Sequence, residues 1–332
     1  MIIVAGATGF IGSYLVTELV NSGIQVIATG RNKDAEMYFN HIGVPFQKVD
    51  ICNNDDCKKL PTDNVEAVVL LAGLLPANVK EYNPIDYIKV NVEGTINMLE
   101  YCRVNGINKI ISTTTYADVR KAWKKDEAIT ESVTRDFDYT GDHAMYVISK
   151  NAATDIIEHY SQAYGIKGIV FRLPPVYGVG PHGVIYADGQ YYKSGIHTFI
   201  DNAIKGDDIE IWGDPNISRD VVYIKDVVHA IIAALKSEKA QGLYNITSGQ
   251  LTTLEEQVRN VIEVFSSKDR KSQIVYRPEK KNTTPSYLFD IKKAKNDFGY
   301  NPRFIPFKKM LEDYKQEMVL GKFHYLESRN LK

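Results

Sequence analysis

The stretch Ile2-Ile3-Val4-Ala5-Gly6-Ala7-Thr8-Gly9-Phe10-Ile11-Gly12 opens with four apolar residues and then sets three glycines three apart. The apolar run is short enough for a strand buried on both faces. Beyond it, Ile11, Leu15, Leu19 and Val20 recur at helical spacing, which predicts an amphipathic helix ending near Gly23. A strand, a glycine turn and a helix in that order bring free backbone N–H groups to a helix N-terminus, where a pyrophosphate can approach. Gly6, Thr8, Gly9, Phe10, Ile11 and Gly12 are therefore candidate dinucleotide-binding residues. A purely structural turn is the competing reading, and the placement of the glycines between strand and helix weighs against it.

Working outward, strand-like runs follow at Val26–Thr29, Phe46–Val49, Val65–Leu71, Lys109–Thr113 and Lys167–Arg172, with helical stretches between them. Such alternation implies an α/β protein with a Rossmann-type doubly wound parallel sheet covered on both faces. At the close of the second strand stand Gly30, Arg31 and Asn32, with no carboxylate. An acidic residue there would hold a ribose 2′-hydroxyl, whereas an arginine accommodates a 2′-phosphate, so the pattern favours NADP over NAD. The alternative leaves Arg31 as a surface charge in an NAD site.

At 332 residues the chain suggests about two domains with ample core. A net charge of −1 advertises neither a nucleic-acid nor a membrane surface, and no stretch is long and apolar enough to span a bilayer. The basic cluster Lys121, Lys124 and Lys125 beside Trp123 reads as a solvated loop. Cys52, Cys57 and Cys102 are few and odd in number, which fits a reducing cytoplasm, and their pattern suggests no metal site.

In Tyr146-Val147-Ile148-Ser149-Lys150, the tyrosine and lysine lie one turn apart on a predicted helix from Ala144 through Tyr160, whose packing stripe is Ala152, Ile156, Ile157 and Tyr160. An ammonium against a phenol can lower its pKa by roughly 1–3 units, making a proton acceptor of it. The plainer alternative is an exposed aromatic beside a solvated charge.

Taken together in order, these residues resemble the extended short-chain dehydrogenase/reductase family, in its nucleotide-sugar epimerase and dehydratase branch. Gly6, Gly9 and Gly12 match its phosphate loop, Asp50-Ile51 its adenine-contacting pair, and Leu71-Ala72-Gly73 the strand end that lines the cofactor. Asn91 through Thr95 fits its central helix. Ser112 stands four residues before Tyr116, where the family's catalytic Ser/Thr stands, and Tyr146/Lys150 match its Tyr-x-x-x-Lys pair. Further on, Trp212-Gly213-Asp214 and Arg219-Asp220 through Asp226-Val227 are similar to its diphosphate-binding segment, and Arg277 resembles the second arginine of that clamp. Arginine forks suit phosphate oxygens. As alternatives, Arg219 pairs with Asp220 or Asp226, and Arg277 is a surface residue.

The resemblance implies Ser112, Tyr146 and Lys150 as the catalytic set, with Lys150 also on the nicotinamide ribose. Arg31, Asn91 and Pro174 join the cofactor residues, and Ser112, Thr113, Tyr192, Arg219 and Arg277 contact a nucleotide-diphosphate sugar. It further implies a Rossmann domain over 1–175 with a return at about 220–250, and a smaller α/β substrate domain over 176–219 and 251–332. A homodimer through the helices near Thr95–Val104 and Ala152–Ala163 follows from it too. Two departures stand out. Pro175 replaces an expected asparagine, and Lys280 replaces a carboxylate three residues after Arg277. The loop from His182 through Lys193, with Tyr186, Tyr191 and Tyr192, is unusual: packing is the commoner use of such aromatics, and covering the sugar is the alternative. Thr113 and Thr114 follow Ser112 where dehydratases and decarboxylases carry acids, so 4-epimerisation or reduction of a 4-keto sugar is expected. A reductase of a non-sugar carbonyl and a non-catalytic dinucleotide sensor are the remoter readings.

Overall fold

The computed structural model describes the chain except residues 32, 77–80, 125, 142, 181–183, 188–189, 283 and 322–332; the side chains of 33–35 and 184–187 are likewise outside the description. Asn32, Lys125, His182 and the Tyr186 side chain thus lie outside the described residues.

The opening stretch folds as β1 (Ile2–Ala5), fully buried, followed by α1 (Phe10–Asn21) with Gly9 as its N-cap. Next come β2 (Val26–Gly30), β3 (Phe46–Lys48), β4 (Ala67–Leu70), β5 (Lys109–Thr115) and β6 (Lys167–Leu173). Gly242–Asn245 returns beside β6, giving seven parallel strands in the order Gly242–Asn245, β6, β5, β4, β1, β2, β3. Strand order reverses between β1 and β4, and a parallel sheet of this kind opens a crevice beyond its C-terminal ends at that point. The two strands at its middle, β1 and β4, are continuous Ile, Val, Leu and Ala, as burial on both faces demands. One apolar cluster lies on each side of the sheet. Leu15 and Leu19 of α1 pack with Ile231 on one side, and Met98, Leu99 and Ile157 pack on the other.

Short strand pairs build the remainder: Ile209–Trp212 parallel to Ile274–Arg277, Ser218–Arg219 antiparallel to Thr252–Thr253, and Val184–Ala187 antiparallel to Gln190–Lys193. The helix Leu254–Phe265 starts with a capping box between Thr253 and Glu256.

In the two helices considered for two-fold pairing, Met98, Leu99, Cys102, Ala153, Ile157 and Tyr160 are buried, Ile96, Ala152 and Ile156 are half-buried, and Val104 and Tyr164 are exposed. The outward face of Ala144–Tyr164 carries Asp155, Glu158, His159 and Gln162. Among the described residues, no helix is long and apolar enough to cross a membrane.

Candidate active site

One long cavity runs from the glycine turn, past the C-terminal ends of β1, β4 and β5, to Trp212 and Arg219. At its first end the glycines fit a pyrophosphate for distinct reasons. Gly6 has φ +90°, and a Cβ there would meet the Ala72 backbone nitrogen at 2.4 Å; a Cβ on Gly12 would meet the Gly6 carbonyl oxygen at 2.2 Å. Both are therefore required by the close packing of β1, α1 and the end of β4. Gly9 differs: its nearest neighbour to a Cβ is the Gly6 oxygen at 3.2 Å, and it faces the cavity at the start of α1 without a side-chain cap. Its missing side chain leaves approach room to the helix N-terminus, which is what a dinucleotide needs. Accordingly, Gly9→Ala is expected to weaken dinucleotide affinity with little change in melting temperature, whereas Gly12→Ala lowers the melting temperature itself; thermal scans with and without cofactor separate the two.

Thr8, Phe10, Ile11, Arg31, Asp50, Ile51, Leu71, Ala72, Gly73 and Pro174 line the same cavity. Arg31 lies 3.6 Å from Asp50, and its side chain is 65% exposed, so this ion pair leaves the guanidinium available. At Gly30, where a longer residue would sit, a Cβ would strike the Thr8 side chain at 2.6 Å. Asn91 does not line the cavity. Its amide is tied to the Leu74 backbone at 2.8 and 3.1 Å and to Ser149 Oγ at 2.9 Å, joining the end of β4 to the Tyr146 helix.

At the centre, Tyr146 lies in the cavity wall together with Thr115, whose hydroxyl counters the rise that burial imposes on the phenol. Thr115 is the last residue of β5; its oxygen also accepts from the Ala117 backbone N–H at 3.2 Å. Ser112 sits three residues below that edge, donates to the Leu70 carbonyl at 3.2 Å, and does not line the cavity. The four-residue spacing to Tyr116 pointed to Ser112, but β5 runs on to Thr115, and Thr115 at its C-terminal end reaches the crevice whereas Ser112 does not. Thr113 and Thr114 also line the cavity, and Thr114 Oγ1 is buried without a hydrogen-bond partner.

Lys150 is partly buried one turn along the helix from Tyr146 and is not a wall residue. Burial pushes its ammonium down to about 8. The Tyr146 phenol is pushed upward, chiefly by burial, with the neighbouring phenols Tyr87 and Tyr116 adding to the rise and Thr115 opposing it. The expected lowering of Tyr146 by Lys150 is thus not what this structure shows: desolvation drives both groups toward their neutral forms.

Beyond Tyr146, Arg219 projects into the cavity. Its Nη2 donates to Asn282 Oδ1 at 3.3 Å, and its buried Nε has no partner. Its charge acts on the phenols of Tyr116, Tyr177 and Tyr287. Asp220 and Asp226, the two possible partners, are engaged elsewhere. Asp220 accepts from Thr247, Ser248, Gly249 and Phe289, and Asp226 accepts from the backbone of Arg303 and Phe304. Burial pushes the Asp220 carboxyl up to about 6.

Arg277 is not a wall residue; its Nε donates to Glu210 Oε1 at 3.0 Å. Lys280 Nζ and the Trp212 indole donate to Glu210 Oε2 at 2.6 and 2.8 Å, and these three contacts, Lys280 first, hold the Glu210 carboxyl down to about 2. Sequence reasoning missed Glu210, which lines the cavity with Trp212. Tyr192 likewise faces away: strand alternation puts Tyr191 and Lys193 on the cavity side of the Gln190–Lys193 strand.

A doubly wound sheet with a glycine-rich turn at its switch point and a Tyr-x-x-x-Lys helix beside the crevice defines a dinucleotide-dependent enzyme of the extended short-chain dehydrogenase/reductase type. Residues 2–247 match the family model for the NAD dependent epimerase/dehydratase family, and the chain belongs to that family. A putative UDP-glucose 4-epimerase of Methanocaldococcus jannaschii is 27% identical over 303 residues, covering 91% of this chain and 93% of that protein. Among solved structures, UDP-glucose 4-epimerase from Thermotoga maritima with UDP-glucose superposes with a TM-score of 0.78 at 24% identity, covering 96% of this chain and 99% of that one. UDP-N-acetylglucosamine 4-epimerase from Methanobrevibacter ruminantium M1, in complex with UDP-N-acetylmuramic acid, gives 0.79 at 22% identity, with 96% and 98% covered.

Proposed function

We propose that the protein is a nucleotide-sugar epimerase acting at C4 through a 4-keto sugar. The observation that carries this reading is that Thr115 and Tyr146 share the wall of one cavity that joins a pyrophosphate turn to Arg219. When bound, the nicotinamide dinucleotide supplies reversible hydride acceptance and donation at a sugar carbon. Tyr146 must first give up its own phenolic proton; as phenolate it then takes the proton from the reacting hydroxyl and returns it to the same oxygen. Thr115, in place of Ser112, donates a hydrogen bond to that oxygen and relays the proton. Arg219 holds the diphosphate through charge-assisted hydrogen bonds, its unpartnered Nε offering a donor already stripped of water. That tether lets the keto sugar turn over without escaping. Lys150, partly buried one helical turn from Tyr146 and behind the cavity wall, is the residue that the family resemblance assigns to the ribose side of the cofactor.

Two observations favour a second reading, the one-way reduction of a 4-keto sugar nucleotide. Tyr146 is driven to its neutral form, ready to give a proton to a carbonyl oxygen, and Arg31 suits a 2′-phosphate. Incubation with a UDP-hexose and with a 4-keto nucleotide sugar separates the readings. Epimer formed at constant dinucleotide absorbance supports the first, and stoichiometric loss of NADPH absorbance supports the second. Neither product from any nucleotide sugar would sink both.

Arg31 gives the cofactor preference its own test. Removing a guanidinium from a phosphate contact costs about 1.5–3 kcal/mol. Arg31→Ala is therefore expected to weaken NADPH roughly ten- to a hundredfold by fluorescence titration and to leave NADH nearly unchanged; an equal effect on both would show that Arg31 does not read the 2′-phosphate.

A further inference from the structure

Arg120 belongs to none of the roles above, although it lines the cavity on the 3₁₀ turn Tyr116–Ala122 that follows Thr115. Its guanidinium lies 5.1 Å over the Trp123 ring, and Trp123 in turn stacks on Tyr116 with centroids 4.7 Å apart and planes 15° from parallel. The Trp123 indole donates to the Tyr116 carbonyl at 3.3 Å, so cation, indole and phenol form one braced unit beside Tyr146. The Tyr116 phenol feels the charges of both Arg219 and Arg120. Two guanidiniums therefore flank the place where the sugar ring must lie, given a diphosphate on Arg219 and a reacting hydroxyl at Tyr146.

No carboxylate in the cavity wall answers this charge. Among the described wall residues the acids are Asp50, at the adenosine end, and Asp208 and Glu210, on and beside the Ile209–Trp212 strand. Arg120 does have one acidic neighbour, Asp138, which approaches Nε at 3.4 Å and does not line the cavity. Both of these side chains are well exposed, and an ion pair of that kind is weak. It also engages one of the five N–H donors of the guanidinium.

The geometry points to an anionic sugar: Arg120, stacked on Trp123, binds a carboxylate carried by the hexose on a carbon flanking the reacting one. This deepens the nucleotide-sugar reading and rests on it. A planar guanidinium matches a carboxylate with two parallel hydrogen bonds, a match that a neutral hydroxymethyl group does not offer. The rival use of Arg120 is as a second grip on the diphosphate, and it makes a different prediction.

The test uses the full chain with its dinucleotide and three probes: UDP, UDP-glucose and UDP-glucuronate, the last two differing at C6. Calorimetric titration is expected to show UDP-glucuronate bound about tenfold or more tighter than UDP-glucose by the native protein. In Arg120→Gln that preference disappears, while UDP and UDP-glucose affinities hold. A second variant, Asp138→Asn, releases Arg120 from its neighbour and is expected to keep or widen the preference, which guards against a folding defect in the first. Equal affinity for the two sugars in the native protein overturns the proposal, as does a preference that survives Arg120→Gln. Loss of UDP affinity in Arg120→Gln overturns it in favour of the diphosphate grip. If UDP itself does not bind, the nucleotide-sugar reading falls and this inference falls with it.

Discussion

Tyr146→Phe lowers turnover by about 10²–10⁴-fold, the range that a positioned proton-transfer group contributes. The phenyl ring keeps the same contacts with Tyr87, whose ring centroid lies 6.3 Å away, so the helix and the cavity wall are preserved. Dinucleotide affinity and melting temperature should therefore match the native protein, and the loss should fall on kcat. Thr115→Val is expected to produce a smaller fall in kcat, because it removes a hydrogen bond to the reacting oxygen and leaves the proton carrier in place. Ser112→Ala should change kcat least of the three, since that hydroxyl spends its donor on the Leu70 carbonyl below the cavity. Full turnover in Tyr146→Phe would end the mechanism; a larger loss in Ser112→Ala than in Thr115→Val would return the donor role to Ser112.

The second large effect is on stability and lies beneath the site. Arg172 of β6 and Asp118 of the turn after Thr115 are each 1% exposed and meet at 2.8 Å. Arg172 Nε adds a second contact at 3.2 Å to the same oxygen, and Nη1 donates to Asn245 Oδ1 at 3.1 Å. Asn245 donates in turn to the carbonyls of Ile129 and Asp290, so one guanidinium ties β6 to the edge strand and to the turn that carries Thr115, Tyr116 and Arg120. Replacing one partner of such a buried pair leaves a naked charge and costs about 3–5 kcal/mol. Arg172→Met is expected to lose that much in denaturant unfolding. Arg172→Met with Asp118→Asn should recover much of it, because the stranded charge is gone. The pH dependence has a definite sign. Burial already pushes the Asp118 carboxyl upward against the pull of Arg172, and without the arginine it rises further. Protonation then relieves the single variant as pH falls, so its deficit relative to the native protein shrinks from pH 8 to pH 5. A deficit independent of pH would mean that lost packing, and not the stranded carboxylate, sets the cost.

These expectations differ in how far the sequence could support them. The glycine turn was legible because its cause is local: a strand, a tight turn and a helix within residues 2–12 specify their own geometry, and Gly6 and Gly12 are forced by backbone approaches inside and next to that unit. The strands themselves were legible for a similar reason, since buried parallel strands announce themselves as short apolar runs. Tyr146 stands out because Tyr and Lys one helical turn apart share a face whatever surrounds them.

Three assignments depended on distance across the fold and read differently once it was in place. Ser112 was counted back from Tyr116, but how far β5 extends is decided by its pairing with β6 through Thr115 and Leu173, and that pairing brings Thr115 to the phenol. Arg277 looked like half of a clamp, but Glu210 on the neighbouring strand, 67 residues away, holds it outside the cavity wall. Arg120 did not stand out in the sequence, where it adjoins the basic cluster Lys121, Lys124 and Lys125; stacking on Trp123 beside Tyr146 is what gives it a place.

By itself, then, the sequence determined the pyrophosphate turn and the Tyr-Lys helix, because each is set by interactions within a dozen or so neighbouring residues, and it announced the doubly wound sheet through the alternation of apolar strands with helices. The tertiary structure alone decided which hydroxyl shares the cavity wall with Tyr146, which arginines line that cavity and in which direction burial shifts the phenol and the ammonium. Those outcomes depend on burial and on partners brought together from far along the chain, and a linear pattern carries no record of either.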